Sequence, residues 1–165
     1  MRAGYKLIIV VLILGGVIAV FTAQPEVAFG TETKAIDTRS DIFFTYTSVR
    51  YPAKAEIINP SDNNLPIGIN ADTDRLDFGI VANGGSVKRM INLTTIDEKS
   101  SRMHVKAYGD IARMITLEKT DFVFNGKTTV AVTFSSDAPA GNYTGEVDVV
   151  IQRSNNDMVR YLIGY

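Results

Sequence analysis

Two stretches near the C-terminus decide the fold: Thr129–Phe134, TVAVTF, and Gly145–Arg153, GEVDVVIQR. In the first, Val130, Val132 and Phe134 fall on one side, and Thr129, Ala131 and Thr133 on the other. In the second, Val147, Val149 and Ile151 oppose Glu146, Asp148 and Gln152. A period of two is the pattern of a pleated strand with one face buried and one solvated. The reading predicts a core holding Phe134 and Ile151, with Glu146 and Asp148 facing water.

Working outward, the same alternation recurs upstream. Met103, Val105 and Ala107 oppose His104, Lys106 and Tyr108; Val87, Ile91 and Leu93 oppose Lys88, Met90, Asn92 and Thr94. Further strands are expected at Ile42–Arg50, Lys54–Ile58, Leu76–Phe78, Ile115–Glu118, Phe122–Phe124 and Met158–Gly164. Turn residues separate them, and Asn125-Gly126 between two alternating runs reads as a β-hairpin. No amphipathic helical period is sustained after residue 23. Many short strands at this spacing predict an all-β domain, an immunoglobulin-like β-sandwich, over residues 41–165. Residues 24–40 read as a stalk, with a first edge strand near Thr33–Ile36.

The N-terminus has a different character. Residues 1–6 carry Arg2 and Lys6 and no acid, and Leu7–Ala23, LIIVVLILGGVIAVFTA, is apolar for 17 residues. A helix apolar on every face has no place on a small soluble domain. At about 1.5 Å per residue the run reaches roughly 25 Å, enough to span a bilayer with help from Tyr5 and Lys6 at the interface. A cleaved signal would need a small-x-small site. Val17-Ile18-Ala19 offers one, but Val20 and Phe21 continue the apolar run past it. A prepilin-type leader cut after Gly4 would leave Lys6 inside the mature helix. Length and site favour a retained transmembrane helix at residues 7–23 in contact with membrane lipid. The basic residues before it keep residues 1–6 cytoplasmic and place the C-terminal domain outside the cell membrane. Gly15-x-x-x-Ala19 is a spacing that lets such helices self-associate.

Composition excludes several chemistries. The 165 residues contain no cysteine and one histidine, so thiolate and polyhistidine metal sites are ruled out. Seventeen basic residues against 18 acidic give a net charge of −1, and removing Arg2 and Lys6 leaves 15 against 18. Such a surface is not a nucleic-acid binder driven by phosphate attraction. With 45% hydrophobic residues the domain builds a core without disulfide bracing.

Leu76–Thr94, LDFGIVANGGSVKRMINLT, resembles the opening strand pair of sandwiches of the major sperm protein, ASH and NEW3 kind. Ala138–Val150, APAGNYTGEVDVV, is similar to their penultimate hairpin, where a Pro-x-Gly-x-Tyr-x-Gly corner feeds a long strand. A short anchor before a cysteine-free sandwich also resembles archaeal membrane-anchored surface proteins, including accessory subunits of the archaellum. The resemblance implies the sandwich fold and a structural role in the cell envelope.

Candidate sites are few. His104 is the one imidazole, and no Gly-x-Ser-x-Gly elbow accompanies it, so no catalytic residue is expected. Asp72, Asp74 and Asp77 form an oxygen-rich cluster open to calcium. Counted from Asp72, the EF-hand glycine and glutamate positions hold Asp77 and Asn83, and Asx turn chemistry is the competing role. Asn92-Leu93-Thr94 and Asn142-Tyr143-Thr144 are glycosylation acceptors, the first on a strand and the second in a turn. Glu146 and Asp148 on their polar face, and Tyr161 and Tyr165 on a C-terminal strand able to pair with another chain, are the candidate contacts for a protein partner. No cofactor is implied. The expected function is non-catalytic: an external domain making structural or adhesive contacts in a surface layer, filament or membrane complex. A carbohydrate- or calcium-dependent adhesin is the alternative, and an extracytoplasmic hydrolase the third reading.

Overall fold

The computed structural model describes residues 33–59, 74–94 and 100–156, with positions 158, 159 and 161 beyond them. The strands are β1 (Ala35–Ser40), β2 (Phe44–Ile58), β3 (Leu76–Ala82), β4 (Ser86–Thr94), β5 (Ser101–Gly109), β6 (Ile115–Leu117), β7 (Asp121–Phe124), β8 (Lys127–Ser135) and β9 (Gly141–Ser154). They form two sheets. The larger has the order β1-β2-β9-β5-β7, with β3 also on β2, and the smaller has the order β4-β8-β6. The protein is an all-β, two-sheet sandwich.

The inner residues of the alternating stretches meet in one core. Val130, Val132, Phe134, Val147, Val149 and Met103 are all fully buried. Phe134 of β8 stacks on Phe78 of β3 with ring centroids 5.3 Å apart, tying the two sheets together. Ile151 packs at the margin of this core and is only half-buried. Its row runs from Met103 of β5 through Thr47 of β2 to Thr38 of the edge strand β1.

Strand β2 is one run of 15 residues where the sequence predicts two. Pro52 suggests a break, since it lacks a ladder donor. On the outer edge of β2, however, β1 pairing ends at Arg50 and β3 pairing begins at Ala53. Pro52 sits in that gap, where a missing N–H costs least. Strand β1 forms inside the expected stalk, held by its ladder to β2 although its sequence carries one large apolar residue.

Two connections differ from expectation. Strands β7 and β8 flank Asn125-Gly126 but lie in different sheets, so the turn is a crossover and not a hairpin. A two-residue type I′ hairpin needs positive φ at both central residues. Here only Gly126, at 71°, has it. Likewise β3 and β4, the resemblance's opening strand pair, belong to opposite sheets. The buried Ser136 fixes that connection. Its hydroxyl lies 2.5 Å from the Ala82 carbonyl oxygen and 2.9 Å from that of Gly85, and its backbone bonds Gly84 and Gly85. The C-terminal strand is a further correction: positions 158, 159 and 161 are helical.

A short 3-10 helix, Asp110–Met114, follows β5 and drives Ile111 into the core. It crosses β9 at Gly145, where a Cβ would fall on the Tyr108 carbonyl oxygen and lie 2.8 Å from Ile111 Cγ2. Just before it, the Tyr143 hydroxyl donates to the Pro139 carbonyl at 2.7 Å, tying the corner to the strand it feeds.

Phe134→Ala is expected to cost about 3–5 kcal/mol, because a buried ring leaves a cavity bounded by both sheets. Ile151→Ala, at a half-buried site, is expected to cost about half as much. Urea unfolding of the two variants measures the difference, and equal midpoints would place the core wrongly.

Candidate functional site on the outer face of the larger sheet

Register aligns the outward side chains of three strands into rows. Arg50 of β2, Asp148 of β9 and Lys106 of β5 form one row, and Ser48, Val150 and His104 the next. On either side lie Pro52, Glu146 and Tyr108, and Tyr46, Gln152 and Arg102. The rows gather Arg50, Arg102, His104, Lys106, Tyr108, Glu146 and Asp148 on one face, and β9 runs down its middle.

That central position alters the expected picture of Glu146 and Asp148. They do lie on the polar face, but they are 6% and 5% exposed and not solvated. A residue on a central strand is flanked on both sides, and here the residues in register beside the two acids include the long Arg50, Lys106 and Tyr108. Lys106 itself lies over the Tyr108 ring, with Nζ 4.9 Å from the centroid. Glu146 Oε1 and Asp148 Oδ1 find no hydrogen-bond partner among the described residues. Burial pushes the Asp148 carboxyl up to about 6, aided by the neighbouring Glu146 and opposed by Arg50. Burial likewise raises Glu146, again against Arg50. The Tyr108 hydroxyl is raised first by burial and then by the two acids beside it.

At the β7 edge the electrostatics reverse. Asp121 accepts two hydrogen bonds of 2.8 Å from the Arg102 guanidinium, and His104 Nδ1 lies 3.5 Å from its Oδ2. The Arg102 hydrogen bond is the main cause holding Asp121 below the usual carboxylate range. In a triad the acid exists to orient the imidazole through a short hydrogen bond. Here both Asp121 oxygens bond the arginine, which is the larger influence on it, and the imidazole is a second, weaker partner of the same carboxylate.

The other expected positions scatter. Asp72 and Tyr165 lie outside the described residues. Asp74 is 3.8 Å from Lys34 Nζ. Asp77 accepts from the Gly79 N–H at 2.9 Å, the Asx turn, and pairs with Lys54 at 3.0 Å. Among the described residues no three acids or histidines gather around a metal-sized space. Asn92 is exposed on β4, its carbonyl oxygen accepting from the Thr129 hydroxyl at 3.1 Å. Asn142 is exposed too, but it lies on β9 opposite Glu56 and not in a turn. Tyr161 is 88% exposed, on a helical position and not on a pairing strand. The ion pair of Arg102 with Asp121 escaped the sequence reading, because 19 residues separate partners that only strand pairing brings together.

Compared with known proteins, the chain matches no family model, and no curated protein is significantly similar to it.

The raised acids make a signed prediction. Asp148 binds its proton more tightly folded than unfolded, so its contribution to stability is fully present below about pH 4 and is lost as pH rises through about 6. Asp121 acts oppositely, but only below its ordinary value of 3.8. Asp148→Asn is therefore expected to flatten the pH 4–6 slope and to stabilise the protein at pH 7 by about 1–2 kcal/mol, allowing for a thinly covered face. Urea midpoints measured across pH 4–8 check this, and an unchanged slope would contradict it.

Proposed function

We propose that this chain is a non-catalytic cell-envelope protein whose external domain, of the immunoglobulin-like kind, makes structural or adhesive contacts with another envelope protein. The observation that carries the reading is the 17-residue apolar run at 7–23, behind two basic residues and ahead of an all-β domain. Residues 7–23 lie outside the described residues, and among the described ones no helix is long and apolar enough to cross a membrane. The anchor thus rests on the sequence argument of length, hydropathy and flanking charge.

Two features support the immunoglobulin-like reading. The larger sheet joins strands distant in sequence, and the Tyr143–Pro139 bond has the form of a tyrosine corner, in which a hydroxyl returns to the backbone a few residues upstream. The likeness to the major sperm protein, ASH and NEW3 sandwiches rests on the sequence motifs, and the division of β3 and β4 between two sheets departs from it. The exposed asparagines at 92 and 142 suit a glycosylated external domain, and the layout suits an accessory of a surface layer or filament. Binding is favoured over hydrolysis by the setting of His104, whose neighbouring carboxylate answers the Arg102 guanidinium first and the imidazole only second.

The full-length protein is expected to remain with membranes through a carbonate wash with its N-terminus intact by mass spectrometry. A mature N-terminus at Val20 would remove the anchor. His104→Ala is expected to change stability by about 0.5 kcal/mol or less and to leave cellular function intact. Loss of function in a normally folded His104→Ala protein would overturn the non-catalytic assignment.

A further inference from the structure

Away from the charged face, the 3-10 helix and the β8–β9 connection enclose an open cleft of about 340 Å³. Its walls are Arg113, Met114 and Thr116 on one side and Ser135, Asp137, Ala138 and Pro139 on the other. The volume falls within the roughly 300–1,000 Å³ usual for small-molecule sites. Met114 and Ala138 are buried and form an apolar floor.

The walls are held in place before any ligand arrives. Pro139 is bonded through its carbonyl to the Tyr143 hydroxyl, and Ser136, next to Ser135, is locked into the β3–β4 turn. The Arg113 guanidinium lies 5.7 Å from the Tyr143 ring centroid, so its plane is supported from behind. By contrast, the groups facing the cleft are uncommitted. Among the described residues, the side chains of Arg113, Thr116, Ser135 and Asp137 make no hydrogen bond or ion pair with one another or with neighbours. Rigid walls bearing a free guanidinium, a free carboxylate and two hydroxyls lower the ordering cost of binding.

We propose that this cleft binds an acidic sugar unit, an assignment that goes beyond the protein-contact reading and does not depend on it. The Arg113 fork matches a carboxylate in bidentate fashion. Asp137, an acceptor only when ionised, takes the ligand's hydroxyl protons, and the hydroxyls of Thr116 and Ser135 donate or accept as the ring requires. The apolar floor of Met114, Ala138 and Pro139 suits the C–H face of a pyranose. A plain carboxylate would leave Asp137, Thr116 and Ser135 unused.

Ligand-observed NMR on the full chain in mild detergent, with glucuronate, glucose and acetate as separate ligands, tests the assignment. Glucuronate is expected to bind, with glucose and acetate each weaker by about tenfold or more. Arg113→Gln and Asp137→Asn are each expected to weaken glucuronate by at least about tenfold while melting at the wild-type temperature, since both side chains are exposed. Acetate binding as tightly as glucuronate would reduce the cleft to a simple anion site and overturn the proposal. So would equal affinity for glucose, glucuronate binding retained in both variants, or no glucuronate binding at all.

Discussion

The ladder between β2 and β9 holds the structure in register. It pairs Phe44 with Ser154 at one end and Ile57 with Gly141 at the other, joining segments about a hundred residues apart. Every other element of the larger sheet hangs on one of these two strands: β1 and β3 share the outer edge of β2, and β5 pairs the other side of β9 and brings β7 with it. Because side chains alternate at each step, a slip of one residue would exchange Val147 and Val149 for Glu146 and Asp148 in the core. The apolar alternation of β9 therefore sets the register of the whole sheet.

The same ladder creates the unusual electrostatics. A central strand has neighbours on both sides, so an outward acid there sees less water than one on an edge strand. Asp148 sits between Arg50 and Lys106 and burial pushes its carboxyl up to about 6, while Asp121, on the edge strand β7, is held low by Arg102. Strand position within the sheet separates these two aspartates. Buried carboxyls without hydrogen-bond partners cost stability. At neutral pH the domain carries that cost in the middle of its largest face, which limits how far Glu146 and Asp148 can act as direct contact residues.

Function divides between the two ends of the chemistry. The outer face gathers charges of both signs, paired at its β7 edge around Asp121 and unpaired at its centre around Glu146 and Asp148. The cleft beside the 3-10 helix is the opposite case, with a braced frame and polar groups that answer nothing within the described residues. The cleft exists because two short segments, Asp110–Met114 and Ser136–Ala140, are anchored by the buried Ile111 and Ser136.

Much of the fold was legible in the residues alone. Period-two alternation located β4, β5, β8 and β9 and assigned their faces correctly, since hydrophobic burial acts locally on every second side chain. The 17-residue apolar run and its flanking charges carry the argument for an anchor without any tertiary information. Partnering was not legible. Asn125-Gly126 has hairpin chemistry, yet the backbone at Asn125 keeps a negative φ and the chain crosses between sheets, because β5 and not β8 takes β7 as its neighbour. The burial of Glu146 and Asp148, the pairing of Arg102 with Asp121 and the cleft around Arg113 depend on which strands stand side by side. Tertiary pairing alone decided them, because residues far apart in the chain come within reach of one another only after the sheets have closed.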